Sequence, residues 1–142
     1  MTDREPFRTR LKVRQYELDA LGHVNQAVYH SYGEVARLEA FEAAGDARVG
    51  EDHRAPVLLE SNIVYRRELR GGDVVDVTCD TTFGEGKVFW MTSQIFKLDG
   101  TLSAEIKCTL GVMDLRLRKL VADPRGHFER AGLDLKVLST TE

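Results

Sequence analysis

The sequence has few cysteines and no group of residues spaced like a metal site. Its two cysteines, Cys79 and Cys108, lie far apart and form no CxxC motif, so we expect two reduced thiols in the core rather than a disulfide framework. The four histidines are scattered and belong to no Cys/His cluster of metal-ligand spacing. We therefore expect no metal, and nothing in the sequence calls for another cofactor.

Long hydrophobic runs and a strong excess of one charge are also absent. No stretch approaches the roughly 18 apolar residues of a membrane-spanning helix, and the opening MTDREPFRTR is too charged for a signal peptide. A formal net charge of −3 gives no electrostatic reason to expect nucleic acid or an anionic membrane as a partner. These absences favour a cytoplasmic protein. A length of 142 residues without a repeat or linker fits one domain, residues 1–142.

The first half of the sequence predicts one strand followed by one long helix. Apolar and charged residues alternate from Thr9 to Tyr16, as in a half-buried strand. From Ala27 to Ala44 the apolar residues fall at helical spacing, and Gly45 is a natural helix end. The many alanines suit a helix that lies close to a sheet. Gly33 costs about 1 kcal/mol relative to alanine inside a helix, which indicates a helix break or a tight contact there.

The second half of the sequence predicts strands joined by short turns. Residues 56–69 alternate in polarity, and Val57, Leu59, Ile63 and Tyr65 are predicted to share one face. Further strands are expected over residues 74–83, 88–98 and 102–112, with a hairpin turn at 84–87 and a short helix after Pro124. This order indicates an α+β fold with an antiparallel sheet. Because one helix covers only one face of such a sheet, we expect another subunit at the other face or at an edge.

The stretch from Tyr16 to Phe41, YELDALGHVNQAVYHSYGEVARLEAF, carries a resemblance to a known family. It resembles the N-terminal signature of hotdog-fold acyl-CoA thioesterases of the 4-hydroxybenzoyl-CoA thioesterase-like family. The resemblance implies a single hotdog domain, in which a curved antiparallel sheet of about five strands wraps around one long helix. It also implies hydrolysis of an acyl-CoA or acyl-carrier-protein thioester. The sequence departs from the pattern at Glu17, where many relatives have Asp, and at Asn25-Gln26, where Asn-Asn is common.

The resemblance implies roles for particular residues. Asp19 matches the catalytic carboxylate, acting as nucleophile or general base, and Gln26 matches the residue whose backbone N–H faces the thioester oxygen. The residues assigned to substrate binding are Gly22, His23, Asn25, Tyr29, Glu60 and Lys87. Elementary chemistry supports the first two roles, because hydrolysis builds negative charge on the carbonyl oxygen and a helix N-terminus offers unpaired N–H groups. One such donor contributes roughly 3–4 kcal/mol at the transition state.

Each of these residues also has a purely structural interpretation. Asp19 could satisfy backbone donors of its own turn, Asn25 could cap the helix, and His23 could be a packed histidine. Glu60 is either a reserve catalytic acid or a buried polar group at a subunit seam. Lys87 could meet the phosphates of coenzyme A, as could Arg66 and Arg67, or these cations could be solvated surface charges.

Two rival functions share the predicted fold. One is hydration or dehydration of an acyl thioester, although Asp19 ahead of His23 does not resemble the usual hydratase signature. The other is a binding module that holds an acyl thioester without cleaving it. In every case we expect a homodimer or homotetramer with each site between subunits, and the acyl group remains open among aryl, short and long chains.

Overall fold

In the computed structural model, which describes residues 4–45 and 52–141, one antiparallel sheet packs against one long helix. The elements are β1 (Phe7–Lys12), a 3-10 turn (Gln15–Glu17), α1 (Val28–Ala44), β2 (Arg54–Tyr65), β3 (Val74–Phe83), β4 (Val88–Lys97), β5 (Leu102–Asp114), β6 (Lys119–Leu120), α2 (Pro124–Arg130) and α3 (Leu135–Leu138). The strand order is β1-β3-β4-β5-β2, and the short β6 pairs with β5. The α+β class and the hotdog arrangement of sheet and helix are confirmed. None of the helices in the described part of the chain has the length and apolar content needed to cross a membrane.

The helix α1 begins one residue after the predicted start and ends where predicted. Its buried face combines aromatic residues near both ends with small residues between them, and Ala36 and Ala40 are completely buried. A Cβ atom at Gly33 would lie 3.0 Å from the Ile106 side chain. The helix is continuous through Gly33, so this glycine marks a tight contact with the sheet rather than a break.

Both cysteines lie on the inner face of the sheet and are free and buried, as predicted. On β3 the inner face also carries Val75 and Val77, which have no exposed surface. Burial raises the pKa of the Cys79 thiol to about 12. The thiol is therefore protonated at neutral pH and serves as a small apolar core group.

The first strand lies earlier than the sequence predicted. It spans Phe7–Lys12, not the stretch from Thr9 to Tyr16. One further in-register hydrogen bond follows the ladder with β3, from the Val13 N–H to the Asp73 carbonyl at 2.8 Å. The Glu17 carboxylate then accepts the Arg14 N–H at 2.8 Å and closes a 3-10 turn that the alternation did not reveal.

The prediction that Val57, Leu59, Ile63 and Tyr65 share one face of the second strand is partly wrong, because β2 contains a bulge. The register against β5 shifts between Leu58 and Glu60, which leaves Leu59 without a partner. A bulge inserts one residue and exchanges the faces on either side of it. Leu58 therefore occupies the face on which Val57 was predicted. There it lies opposite the buried Leu110.

The two shortest elements of the C-terminal region were not predicted. The strand β6 has two residues and the helix α3 has four, which is too short for either periodicity to be recognised. The helix expected after Pro124 is present as α2.

Candidate active site

Glu17 anchors the loop that carries the predicted catalytic residues. Its side chain is 8% exposed and accepts hydrogen bonds from the Tyr32 hydroxyl at 2.7 Å and the Arg14 N–H at 2.8 Å. Its main-chain carbonyl accepts the Asn25 N–H at 2.9 Å. Burial, together with the adjacent Glu17 carboxylate, raises the pKa of Tyr32 well above its usual range, so its hydroxyl remains a donor. Glu17 thus ties both ends of the loop to α1.

Asp19 lies exposed on this loop, and one of its carboxylate oxygens holds the turn. Its Oδ1 accepts the Leu21 N–H at 2.9 Å and the His23 N–H at 3.2 Å, and Gly22 completes the turn in the left-handed region, with φ of 81°. The turn-acid interpretation therefore accounts for one oxygen. The other oxygen, Oδ2, has no hydrogen-bond partner among residues 4–45 and 52–141.

Asn25 arranges the main chain just ahead of α1. Its side-chain Oδ1 accepts the Ala27 N–H and its carbonyl accepts the Val28 N–H, both at 2.9 Å. The helix N-cap position itself is Ala27, so Asn25 caps the preceding turn. The N–H groups of Val24 and Asn25 also donate, which leaves Gln26 as the residue of this stretch whose N–H has no partner in the described structure. A free N–H ahead of a helix is a suitable donor to a developing anion.

These groups open onto one cleft of about 410 Å³. The predicted site residues that line it are Asp19, His23, Asn25, Gln26 and Tyr29. The other wall is formed by the end of β2 and the segment after it, with Tyr65, Arg66, Arg67 and Glu68. The fold therefore brings an acid with a free oxygen and a free main-chain donor to the same cavity.

Two tyrosines form the apolar part of the cleft. Tyr29 is 4% exposed and packs edge-on against Tyr65, with ring centroids 5.1 Å apart. Burial raises the pKa of Tyr29, which keeps the phenol neutral. The Tyr65 hydroxyl donates a 2.9 Å hydrogen bond to the Gln26 carbonyl. The sequence predicted only that Tyr65 shares a strand face with Ile63, and it did not reveal the contact with the loop, because Gln26 and Tyr65 are distant in sequence.

Two consecutive arginines at the rim differ in their partners. The Arg66 guanidinium donates twice to the Glu105 carboxylate, at 2.7 and 2.9 Å, and this pairing lowers the pKa of Glu105. Arg67 donates to the Arg66 main-chain carbonyl at 3.0 Å and has no carboxylate partner among the described residues. Arg67 is therefore the cation of this pair whose charge is not neutralised.

His23 links the loop to the opposite wall of the cleft. Its main chain forms an isolated bridge with Arg70, and its Nε2 lies 3.7 Å from the Glu68 carboxylate. Glu68 also accepts a 3.0 Å hydrogen bond from Arg70, and this bond, with His23 as a smaller cause, lowers the pKa of Glu68. The position of His23 is that of a packed bridging histidine on the cleft wall.

Glu60 and Lys87 do not reach the cleft of their own chain. Glu60 is exposed and lies opposite Thr109, because the bulge in β2 turns it to the outer face of the sheet. Lys87 follows the β3–β4 turn, beside the pairing of Val88 with Gly111. That is the end of β5 remote from Tyr65 and the cleft.

Comparison with known proteins identifies the family. A family model described as the thioesterase-like superfamily matches residues 13–131. Because this match covers most of the sequence, the chain belongs to the thioesterase-like superfamily. The predicted resemblance to hotdog-fold acyl-CoA thioesterases is thereby confirmed.

Named relatives agree with this assignment. The long-chain acyl-CoA thioesterase FadM of Escherichia coli (strain K12) is 32% identical over 119 residues, which are 82% of this chain and 89% of FadM. The chloroplastic acyl-acyl carrier protein thioesterase ATL3 of Arabidopsis thaliana is 37% identical over 93 residues, or 62% of this chain, and the match spans only 47% of ATL3. The crystal structure of YbaW, a probable thioesterase from Escherichia coli, superposes with a TM-score of 0.77 at 27% identity, covering 89% of this chain and 96% of YbaW.

Proposed function

We propose that this protein hydrolyses acyl thioesters of coenzyme A or of acyl carrier protein, releasing the free acid and the thiol. The observation that carries the proposal is the shared cleft of Asp19, with one unengaged carboxylate oxygen, and Gln26, with an unengaged main-chain N–H. The activities named for FadM and ATL3 support both kinds of carrier.

The chemistry needs few groups. The Gln26 N–H donates to the thioester carbonyl oxygen as negative charge develops there, a contribution of roughly 3–4 kcal/mol. The free Asp19 oxygen either attacks the carbonyl carbon, giving an acyl anhydride that water then cleaves, or takes a proton from the attacking water. The carbon–sulfur bond breaks in both routes, and the thiolate leaves without a strong general acid. Asn25 and Gly22 keep the loop in shape, while Tyr29 and His23 form walls of the cleft.

The test is a thiol-release assay over a panel of acyl-CoAs and acyl carrier proteins, with wild type beside Asp19→Asn. We expect at least a roughly hundredfold loss of kcat in the variant. The matched control is Asp99→Asn, because Asp99 also accepts a main-chain N–H in an exposed turn, from Thr101 at 2.9 Å, yet lies outside the cleft. The control should retain wild-type activity.

Two outcomes would contradict the proposal. If Asp19→Asn retained most of the activity, Asp19 would be a turn acid only, and Glu60→Gln would be the next variant to measure. If wild type bound acyl-CoA and released no thiol from any substrate, the protein would be a binding module. The panel also decides which acyl group is preferred among aryl, short and long chains.

Arg67 is the group we assign to the carrier's phosphates. It lines the cleft and lacks a carboxylate partner in the described structure, whereas Arg66 is neutralised by Glu105. An unneutralised guanidinium binds phosphate through charge-assisted hydrogen bonds. Lys87, predicted for this role, lies at the far end of the sheet and could serve only the cleft of another chain.

The protein is proposed to form at least a dimer along β2, with a tetramer as the larger alternative. This strand is an edge of the sheet, and it exposes a row of large apolar side chains. They are Leu58, Leu59, Val64 and Tyr65. An apolar edge strand is a template for pairing with a second copy. The cleft wall formed by Tyr65 would then lie beside the partner, in keeping with a cytoplasmic enzyme whose sites lie between subunits.

A further inference from the structure

Tyr65, the last residue of the edge strand β2, bonds the loop ahead of α1. Its hydroxyl donates to the Gln26 carbonyl at 2.9 Å, and its ring is held edge-on by the buried Tyr29. Tyr65 is 49% exposed, yet two contacts fix its orientation. The carbonyl it bonds precedes the N-cap residue Ala27 and so lies outside the hydrogen-bond ladder of α1.

This contact completes a set of restraints around the Gln26 main chain. The peptide after Gln26 is held at its carbonyl by Tyr65 and at its N–H by the Asn25 side chain. The peptide before Gln26 is held at its carbonyl by the Val28 N–H. With both neighbouring peptides fixed, the Gln26 N–H has one direction in which to point.

We propose that Tyr65 is a positioning residue, whose hydroxyl aims the Gln26 N–H at the thioester carbonyl. The inference rests on the proposed function. An oxyanion donor acts only if it is aimed before the charge develops, and a misplacement of about 1 Å at a reacting centre can cost up to about a hundredfold in rate. Loss of one of several restraints should cost less, about tenfold.

The experiment compares wild type with Tyr65→Phe, which removes the hydroxyl and keeps the ring against Tyr29. We expect kcat to fall about tenfold while KM and the midpoint of thermal unfolding stay close to wild type. The pH at which the rate rises should not move, because Tyr65 acts on the donor and not on Asp19. The matched control is Tyr16→Phe, since Tyr16 is 79% exposed and lies outside the cleft. It should leave every value unchanged.

A double-mutant cycle separates positioning from a general tether. Tyr65 and Asn25 hold opposite ends of the same peptide, so the effects of Tyr65→Phe and Asn25→Ala on kcat should be less than multiplicative when combined. An unchanged kcat in Tyr65→Phe, or a fall in thermal stability with kcat preserved, would overturn the positioning role. Because wild type is measured in the same assay, an active wild type together with an unchanged kcat in Tyr65→Phe refutes this inference alone. An inactive wild type removes the proposed function and this role with it.

Discussion

The Tyr32 hydroxyl and the Glu17 carboxylate form a 2.7 Å hydrogen bond in the interior, between α1 and the start of the loop that carries Asp19. Tyr32 is 2% exposed, so water cannot replace the bond. Replacing Tyr32 with Phe leaves the carboxylate with its Arg14 contacts only. We expect Tyr32→Phe to lower the free energy of unfolding by about 1.5–3 kcal/mol, measured by urea denaturation. Glu17→Gln should show a smaller loss of unfolding free energy, because its amide oxygen can still accept the hydrogen bond from Tyr32. Equal stability of wild type and Tyr32→Phe would contradict this account.

The two arginines at the cleft rim are expected to differ in their effect on KM. Arg67→Gln should raise KM for acyl-CoA about three- to tenfold with little change in kcat, because it removes one exposed charge-assisted contact to phosphate. Arg66→Gln should change KM less, since the Arg66 charge is already neutralised by Glu105. An acyl-pantetheine thioester without phosphate should show no difference between wild type and Arg67→Gln. Equal effects of the two variants would remove the special role of Arg67.

The exposed apolar edge of β2 predicts the assembly state. Leu58→Lys places a charge on this edge, so we expect it to shift the protein from dimer to monomer in sedimentation velocity. Leu98→Lys is a suitable control, because Leu98 is similarly exposed and lies just beyond the end of β4, away from the β2 edge. A dimer that withstands Leu58→Lys would place the interface elsewhere.

His127 predicts a dependence of stability on pH. Its side chain is largely buried beside Phe128, and burial lowers its pKa below the ordinary value of 6.5. The folded state therefore keeps a neutral ring while the unfolded chain takes up a proton. The contribution is complete above about pH 6.5 and is lost as the pH falls toward the lower folded-state pKa. Between about pH 7.5 and about pH 5.5, wild type should lose more free energy of unfolding than His127→Gln; parallel losses in the two proteins would contradict the assignment.

Local patterns predicted the elements that local interactions define. The predicted bounds of the helix from Val28 to Ala44 were correct to within one residue. Its apolar spacing and the glycine at its end are both local features of the sequence. The bulge at Leu59 could not be read in this way, since it exists only in the register against β5. The prediction therefore placed Leu59 on one face with Val57 and Ile63, whereas in the structure Leu59 is the unpaired residue of the bulge.

The site residues likewise fall into those that a local motif predicted and those that only the fold brings together. A continuous motif predicted site residues between Asp19 and Tyr29, and the structure brings all of them except Gly22 to the lining of one cleft. Tyr65 and Arg67 join that cleft only because β2 ends beside the loop, some forty residues further along the chain in sequence. Arg66 and Arg67 are chemically identical in the sequence. Their difference arises from Glu105 on the neighbouring strand.

The amide hydrogen at residue 26 is carried by the polypeptide backbone, and every amino acid except proline supplies it. Replacement of the glutamine side chain can therefore reshape the cavity wall while the donor persists. In an enzyme built this way, a lineage can drift toward new acyl groups without passing through an inactive ancestor.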